Sequence, residues 1–297
     1  MLPVNTRPRG FFTFAQNNGD TDYIRLAYAL ALSLKHTQAE IPYLTVGITP
    51  GSEVDPRYAW AFDNIIEIPW GDSAEDSKWK LENEWKSIWM TPYHETIKLD
   101  CDMLFFTDIS AWWKHLESQP NDMLWANRVL DWRGSESNSD YYRKVFTKNS
   151  LPNIYTACGY FRKTASSYDV FALAAMIFWN WERFFELYLH YEHRPDHPST
   201  DVIFALAMKL LDIEQSSYAP HVIPTFTHMK SQMQGWKDTI VSEDWRNHLE
   251  TFFTPTGDCK LGNHRQFYPL HYHVKDWLTD EMIGIYEGLI KDGKSMD

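Results

Sequence analysis

Between residues 10 and 106, short apolar runs of strand length alternate with longer segments whose apolar residues recur at helical spacing. This alternation narrows the fold more than any other feature of the chain. Residues 10–16 read as a strand, Asn17-Asn18-Gly19-Asp20 as a polar loop, and about 22–35 as a helix. Strands follow at 43–49 and 64–68, then a helix at 76–90 carrying Trp79, Trp85 and Trp89, then an apolar strand beginning near 97. Strands separated by helices in this way lie side by side, with the helices packed on the sheet. The expectation is an α/β fold with a mainly parallel central sheet flanked by helices. Ligands on such sheets bind beyond the carboxyl ends of the strands, so the loop at 16–22 and whatever ends the strand near 99 face one crevice.

That strand runs Ile97-Lys98-Leu99-Asp100-Cys101-Asp102-Met103-Leu104-Phe105-Phe106. An Asp-x-Asp triplet proves little in a chain with 23 aspartates, and a second one occurs at Asp20-Thr21-Asp22. Context separates them: Asp20 and Asp22 lie in a polar turn before a helix, whereas Asp100 and Asp102 interrupt a run that reads as buried strand. Residues at i and i+2 of a strand project to the same side, so the two carboxylates point together and need a compensating cation. A hard divalent ion, Mg²⁺ or Mn²⁺, suits oxygen ligands and bridges carboxylate to phosphate. The plainer reading is a strand that ends in two polar residues, with Asp108 capping a helix at 109–117.

The second half is less regular. A strand is expected at 122–127, a polar loop with Arg128, Asp131 and Arg133 at 128–139, a helix at 141–148, and a strand at 153–162 around Thr156-Ala157-Cys158-Gly159. Gly159 either admits the close approach of a ligand or marks a bulge. Residues 170–191 form the one apolar stretch of near-membrane length, but Asn180, Glu182, Arg183 and Glu186 interrupt it, so it reads as a buried helix. Pro198-Ser199-Thr200-Asp201 starts a helix with its body at 202–211. Two late clusters, Thr227-His228-Met229-Lys230 before Trp236 and His271-Tyr272-His273-Val274-Lys275-Asp276-Trp277, each offer an imidazole for a metal and a lysine for a phosphate. No linker is evident, and residues 1–297 read as one domain with a core at about 10–230 and an irregular extension at 231–297.

Composition excludes some partners. A formal charge of -12 argues against nonspecific nucleic-acid binding and against anionic membranes. Cys101, Cys158 and Cys259 are odd in number and lack Cys-x-x-Cys spacing, which points away from a disulfide framework or zinc site and fits a reducing cytoplasm. The first ten residues hold Arg7 and Arg9 but no apolar run of signal-peptide length. Aromatic residues make up 16% of the chain and include 14 Trp, more than core packing needs; stacking on sugar or other planar rings is one use for the surplus.

Taken together, these segments resemble the GT-A fold (nucleotide-diphospho-sugar transferase) glycosyltransferases, in particular the glycosyltransferase family 8 group and related uncharacterised enzymes of tailed bacteriophages. The resemblance covers roughly residues 10–230 and the late His271–Trp277 motif. It implies that Phe14, Ala15, Gln16, Asn17 and Tyr23 hold the nucleotide base. Asp100 and Asp102 would hold Mn²⁺ or Mg²⁺, the Ala157-Cys158-Gly159 segment would line the sugar pocket, and Asp201 would contact sugar or acceptor. The family's late motif pairs a metal-binding histidine with a glycine, a phosphate-contacting lysine and a tryptophan; the segment here lacks the glycine and has shorter spacing.

The implied reaction is metal-dependent transfer of a sugar, hexosyl by analogy, from a nucleotide diphosphate, with uridine expected from the resemblance alone. Asp100 and Asp102 are assigned to the metal with His271 or His273, and His228 as a further candidate; Lys275, Arg128 and Lys230 are assigned to phosphate. Asp201 is a general base if the reaction inverts configuration and a sugar-orienting group if, as the resemblance suggests, it retains it. The acceptor is a glycan, a protein or a modified nucleic acid. Rival readings are a nucleotidyltransferase, although residues 10–20 lack a glycine-rich phosphate loop, and a noncatalytic carbohydrate-binding or scaffold protein.

Overall fold

A computed structural model describes residues 6–77, 80–137, 143–190, 195, 197–213, 223–230 and 242–294. The strands are β1 (Arg9–Ala15), β2 (Leu44–Ile48), β3 (Asn64–Glu67), β4 (Glu95–Leu99), β5 (Met103–Leu104), β6 (Met123–Ala126), β7 (Val129–Leu130), β8 (Tyr155–Arg162), β9 (Phe226–His228), β10 (Thr251–Phe253), β11 (Cys259–Leu261), β12 (His264–Arg265) and β13 (Leu270–His271). Six of them form the central sheet in the order β3-β2-β1-β4-β8-β6. The first four run parallel, and β8 lies antiparallel to both of its neighbours. The sheet is therefore parallel-dominated, and the expected α/β architecture is the one observed.

Alternation along the strands builds two cores. Phe11 of β1, Ile97 and Leu99 of β4 and Tyr160 of β8 face α1 (Tyr23–Thr37), while Met123, Trp125 and Phe161 face the helices on the opposite side. Helix α1 begins after the polar loop because Asp22 accepts a hydrogen bond from the Arg25 amide and Asn17 from the Ile24 amide; these two side chains satisfy amides that have no intrahelical partner. Short helices α2 (Pro56–Ala59) and α3 (Ser87–Met90) come next, then α4 (Ser110–Ser118), entered through Asp108 accepting from the Ser110 amide. Helix α5 (Lys144–Asn149) precedes β8, and α6 (Ala165–Trp179), α7 (Trp181–Tyr188) and α8 (Thr200–Leu210) follow it. Phe171 of α6 and Phe204 of α8 meet edge to face in the second core, ring centroids 5.1 Å apart. Among the described residues no helix is long and apolar enough to cross a membrane.

Several expectations change. The described residues of 76–90 form turns, a 3-10 turn at Glu84–Lys86 and the single-turn α3; Lys78, Trp79 and Trp236 lie outside the described residues. The long helix at 170–191 is two helices that break at Asn180, whose side-chain amide turns back onto the Met176 carbonyl. The polar loop after 128 contains β7, which pairs with β9. The segment read as an irregular extension holds β10–β13 and a terminal helix, α9 (Asp280–Lys294). Arg25 of α1 bonds the Leu278 carbonyl and Asp280, and Tyr28 bonds Glu287, so this end packs on the first helix. Strand β13 lies between β5 and β9 in a second sheet, ordered β5-β13-β9-β7.

Candidate active site

The site begins where β4 ends. The Asp100 amide still bonds the Ala157 carbonyl at 2.9 Å, so Asp100 keeps strand pairing one residue past the strand. The chain then passes through buried Cys101 to Asp102 and enters β5. In the second sheet His271 of β13 is in register with Met103 on one side and His228 on the other. That register carries the imidazole to the aspartate pair from 169 residues away. His271 Nε2 lies 3.0 Å from Asp102 Oδ2 and 3.9 Å from Asp100 Oδ2. One ligand atom from each of Asp100, Asp102 and His271 lies within 4.8 Å of the other two. Lys275 donates to the same Asp102 oxygen.

Charge in this corner is tightly balanced. Burial works to raise the Asp102 pKa, but His271 and Lys275 overcome it and hold the carboxyl well below the usual range. Burial works to lower Lys275, and Asp102 reverses the sign, so its ammonium is held charged. His228 stacks on His271, ring centroids 4.9 Å apart and planes 21° from parallel. Burial pushes His228 well below the ordinary histidine range and His273 down to about 4, helped in each case by His271. Both are neutral imidazoles at neutral pH, with Nδ1 atoms that find no hydrogen-bond partner among the described residues. Two carboxylates from the turn between β4 and β5 and an imidazole from β13 are a donor set that fits a divalent ion of the Mg²⁺, Mn²⁺ or Zn²⁺ kind.

A cavity of about 840 Å³ opens over this cluster, within the size range of small-molecule sites. Of the residues singled out by sequence, it is lined by Phe14, Gln16, Tyr23, Asp100, Asp102, Ala157, Asp201, His228, Lys230, His271, His273 and Lys275. Ala15, Asn17, Arg128, Cys158 and Gly159 do not line it. Ala15 and Cys158 are core residues, and Asn17 is spent on capping α1. Arg128 is half-exposed and faces Glu136 at 3.8 Å. A Cβ at Gly159 would come within 2.0 Å of the Trp125 ring, so the glycine serves packing against β6.

Lining residues that escaped the sequence reading include Glu84, Lys98 and Arg143. The Lys98 ammonium is fully buried and bonds Glu84 Oε1 at 2.5 Å, Asp100 Oδ1 at 2.9 Å and the Thr156 carbonyl at 2.9 Å. Burial alone would lower its pKa, but Asp100 and Glu84 raise it above the ordinary value; burial raises Glu84, and Lys98 only partly offsets that. Arg143 spans Asn153, the Ile154 carbonyl and Asp201, whose Oδ2 it meets at 2.7 Å. The signal for Lys98 was present as a charged residue inside an apolar strand. Glu84 and Arg143 carried no local signal.

Fold and site together define a class: a parallel-dominated α/β sheet with a carboxylate pair at the end of a central strand, an imidazole completing the set and lysines beside it, all at the floor of a cavity of ligand size. No family model matches the chain, and no curated protein matches it in sequence. Among solved structures it is similar to the apo form of mouse xyloside xylosyltransferase 1, with 12% identity, a TM-score of 0.44, and coverage of 81% of this chain and 90% of that one. It is also similar to the galactosyltransferase LgtC in complex with donor and acceptor sugar analogues, with 12% identity, a TM-score of 0.43, and coverage of 66% and 70%. A third is the glycosyltransferase GlyE of Streptococcus pneumoniae TIGR4, with 10% identity, a TM-score of 0.40, and coverage of 70% and 43%.

Proposed function

We propose that this chain is a glycosyltransferase of GT-A type that uses a divalent ion to bind a nucleotide-diphosphate sugar and passes the sugar to an acceptor hydroxyl. The observation that carries the reading is the convergence of Asp100, Asp102 and His271 at the floor of a ligand-sized cavity with Lys275 alongside. Asp100, Asp102 and His271 would hold the ion, whose chemistry is to neutralise charge on the leaving diphosphate. His273 and His228 stand next to that set, placed to contact the phosphates or to join it. Lys275, which donates to Asp102, would contact the diphosphate, and Lys230 would add positive charge at the rim. Phe14, Gln16 and Tyr23 would form the nucleotide end of the cavity.

Asp201 orients rather than deprotonates in this scheme. Both its oxygens already accept hydrogen bonds and its pKa is lowered, Arg143 and Thr156 overcoming the effect of burial, so it is a poor base at neutral pH. That favours retention of configuration. We take the donor to be a UDP-sugar, the ion Mn²⁺ and the transferred group a hexose. Calorimetric titration of UDP with Mn²⁺ and then with EDTA tests the reading: binding that requires the ion and is lost in Asp102→Asn supports it. Ion-independent binding, or none with UDP, GDP or CDP, refutes it.

A further inference from the structure

Asp100 turns one oxygen toward His271, and its other oxygen is already taken. Oδ1 accepts from the Lys98 ammonium at 2.9 Å, while Oδ2 lies 3.9 Å from His271 Nε2. An ammonium carries three N–H donors, and Lys98 uses all of them, on Asp100 Oδ1, on Glu84 Oε1 and on the Thr156 carbonyl. No donor is left to follow a ligand. The Lys98 side chain is buried, so water does not compete for these bonds, and its backbone is fixed by pairing with Gly159 of β8. Asp100 is held at both ends, its amide on the Ala157 carbonyl and its Oδ1 on Lys98. Its side chain remains 21% exposed and lines the cavity.

We propose that Lys98 is a positioning residue: by occupying Oδ1 it makes Asp100 a one-oxygen ligand and tunes the site to small octahedral ions, Mg²⁺ or Mn²⁺, against Ca²⁺. This rests on the metal-site reading above and adds to it the group that chooses among ions of equal charge. The physical reason is how many oxygens a carboxylate presents. Ca²⁺ takes about six to eight oxygens and often grips a carboxylate through both, whereas Mg²⁺ keeps a tight octahedron. Two-oxygen binding would bring the ion to roughly 2.3–2.6 Å from Oδ1, the atom that already carries the ammonium. Two cations on one oxygen repel each other strongly where little water screens them, and the bonds to Glu84 and Thr156 keep Lys98 from withdrawing. A small ion on Oδ2 avoids that conflict. Lys98 acts through Asp100 and need not touch the ion.

The test is calorimetric titration of Mn²⁺, Mg²⁺ and Ca²⁺, each alone and with UDP present, into wild type and Lys98→Met. The readout is the ratio of affinities. Removing a buried positive charge shifts the binding of all three divalent ions together, and loosening the strand does the same, so neither effect moves the ratio. The expected result is that wild type prefers Mn²⁺ and Mg²⁺ to Ca²⁺, and that both preferences fall about tenfold or more in the variant. A wild type that prefers Ca²⁺, or a ratio that Lys98→Met leaves unchanged, overturns the assignment of Lys98 even where every affinity changes. Because Lys98→Met leaves the Glu84 carboxyl buried without its partner, Lys98→Met combined with Glu84→Gln is the second variant, and it must show the same fall. Should neither fold, a crystal structure of wild type with Mn²⁺ decides. Asp100 should ligate through Oδ2 alone with Oδ1 still on the lysine; ligation through both oxygens, or a lysine displaced from Oδ1, overturns the proposal. Wild type that binds none of the three ions, with or without UDP, overturns the metal site first and this assignment with it.

Discussion

Both oxygens of Asp201 are engaged before any substrate arrives, Oδ2 by Arg143 at 2.7 Å and Oδ1 by the Thr156 amide and hydroxyl at 2.8 and 2.7 Å. Its partner is mostly buried, so removing the charge strands a guanidinium that Asn153 and the Ile154 carbonyl only partly satisfy. Asp201→Asn should therefore cost about 3 kcal/mol of stability at pH 7, measured by urea unfolding. Because the folded pKa is lowered, the unfolded chain binds this proton first as pH falls. The stabilisation is present above the unfolded value of about 3.9 and disappears as pH drops through the folded one, so the gap between wild type and Asp201→Asn should close in that window. A gap that persists unchanged at pH 2 would show that the pair contributes nothing. Asp201 was singled out from its position at a helix start, while the arginine that decides its role was not, because Arg143 reaches it across 58 residues of chain.

Strand β8 sets what its neighbours can carry. Gly159 is in register with Lys98 on β4 and Trp125 on β6, and the indole lies over the place where a side chain would be. Gly159→Ala would have to move either the indole or β8 itself, and the second disturbs the strand that fixes Lys98. Overpacking of this kind costs about 1–3 kcal/mol, so thermal unfolding of Gly159→Ala should fall below wild type, and an unchanged midpoint would mean that the indole has room to move. Elements were legible where one period rules. The strands at 10–16 and 43–49 and the helix at 22–35 follow alternation or a 3.6-residue repeat, and appear within a few residues of their expected ends. Residues 76–90 were not, because tertiary bonds organise them. Lys80 folds its ammonium back on the Ala74 and Glu75 carbonyls, Lys86 reaches the Gly71 carbonyl, and Asn83 bonds Gln16 and Asp72. No periodicity announces such contacts, and Glu84 lies in the middle of them.

At the scale of the whole molecule, the cluster of Asp100, Asp102 and His271 joins the central sheet to the chain's far end. Asp100 and Asp102 were legible as carboxylates that interrupt an apolar run, although they lie in the turn between β4 and β5 and not on one strand. His271 was legible only as one of three candidates with His273 and His228, and the register of β13 with β5 puts it beside Met103, next to the aspartate pair. Beyond the strand pairing, hydrogen bonds from backbone amides hold the joint: Thr227 to the Pro269 carbonyl, Met229 to the His271 carbonyl and Tyr272 to the Asp102 carbonyl. An ion held by Asp100, Asp102 and His271 would tie the same segments a second time, so that opening of β13 would first have to break a metal ligand. Mn²⁺ at a hundred times its dissociation constant should therefore stabilise the protein by about 2.7 kcal/mol, a rise in Tm of about 4 °C. Hydrogen exchange at the amides of Thr227, Met229 and Tyr272 should slow by a similar free energy, while amides in β2 and β3, remote from the joint, respond less. In His271→Ala both effects should vanish even though the aspartate pair remains. If the variant keeps the full Tm rise, the ion is held by the carboxylates alone and the C-terminal segment is no part of the metal site.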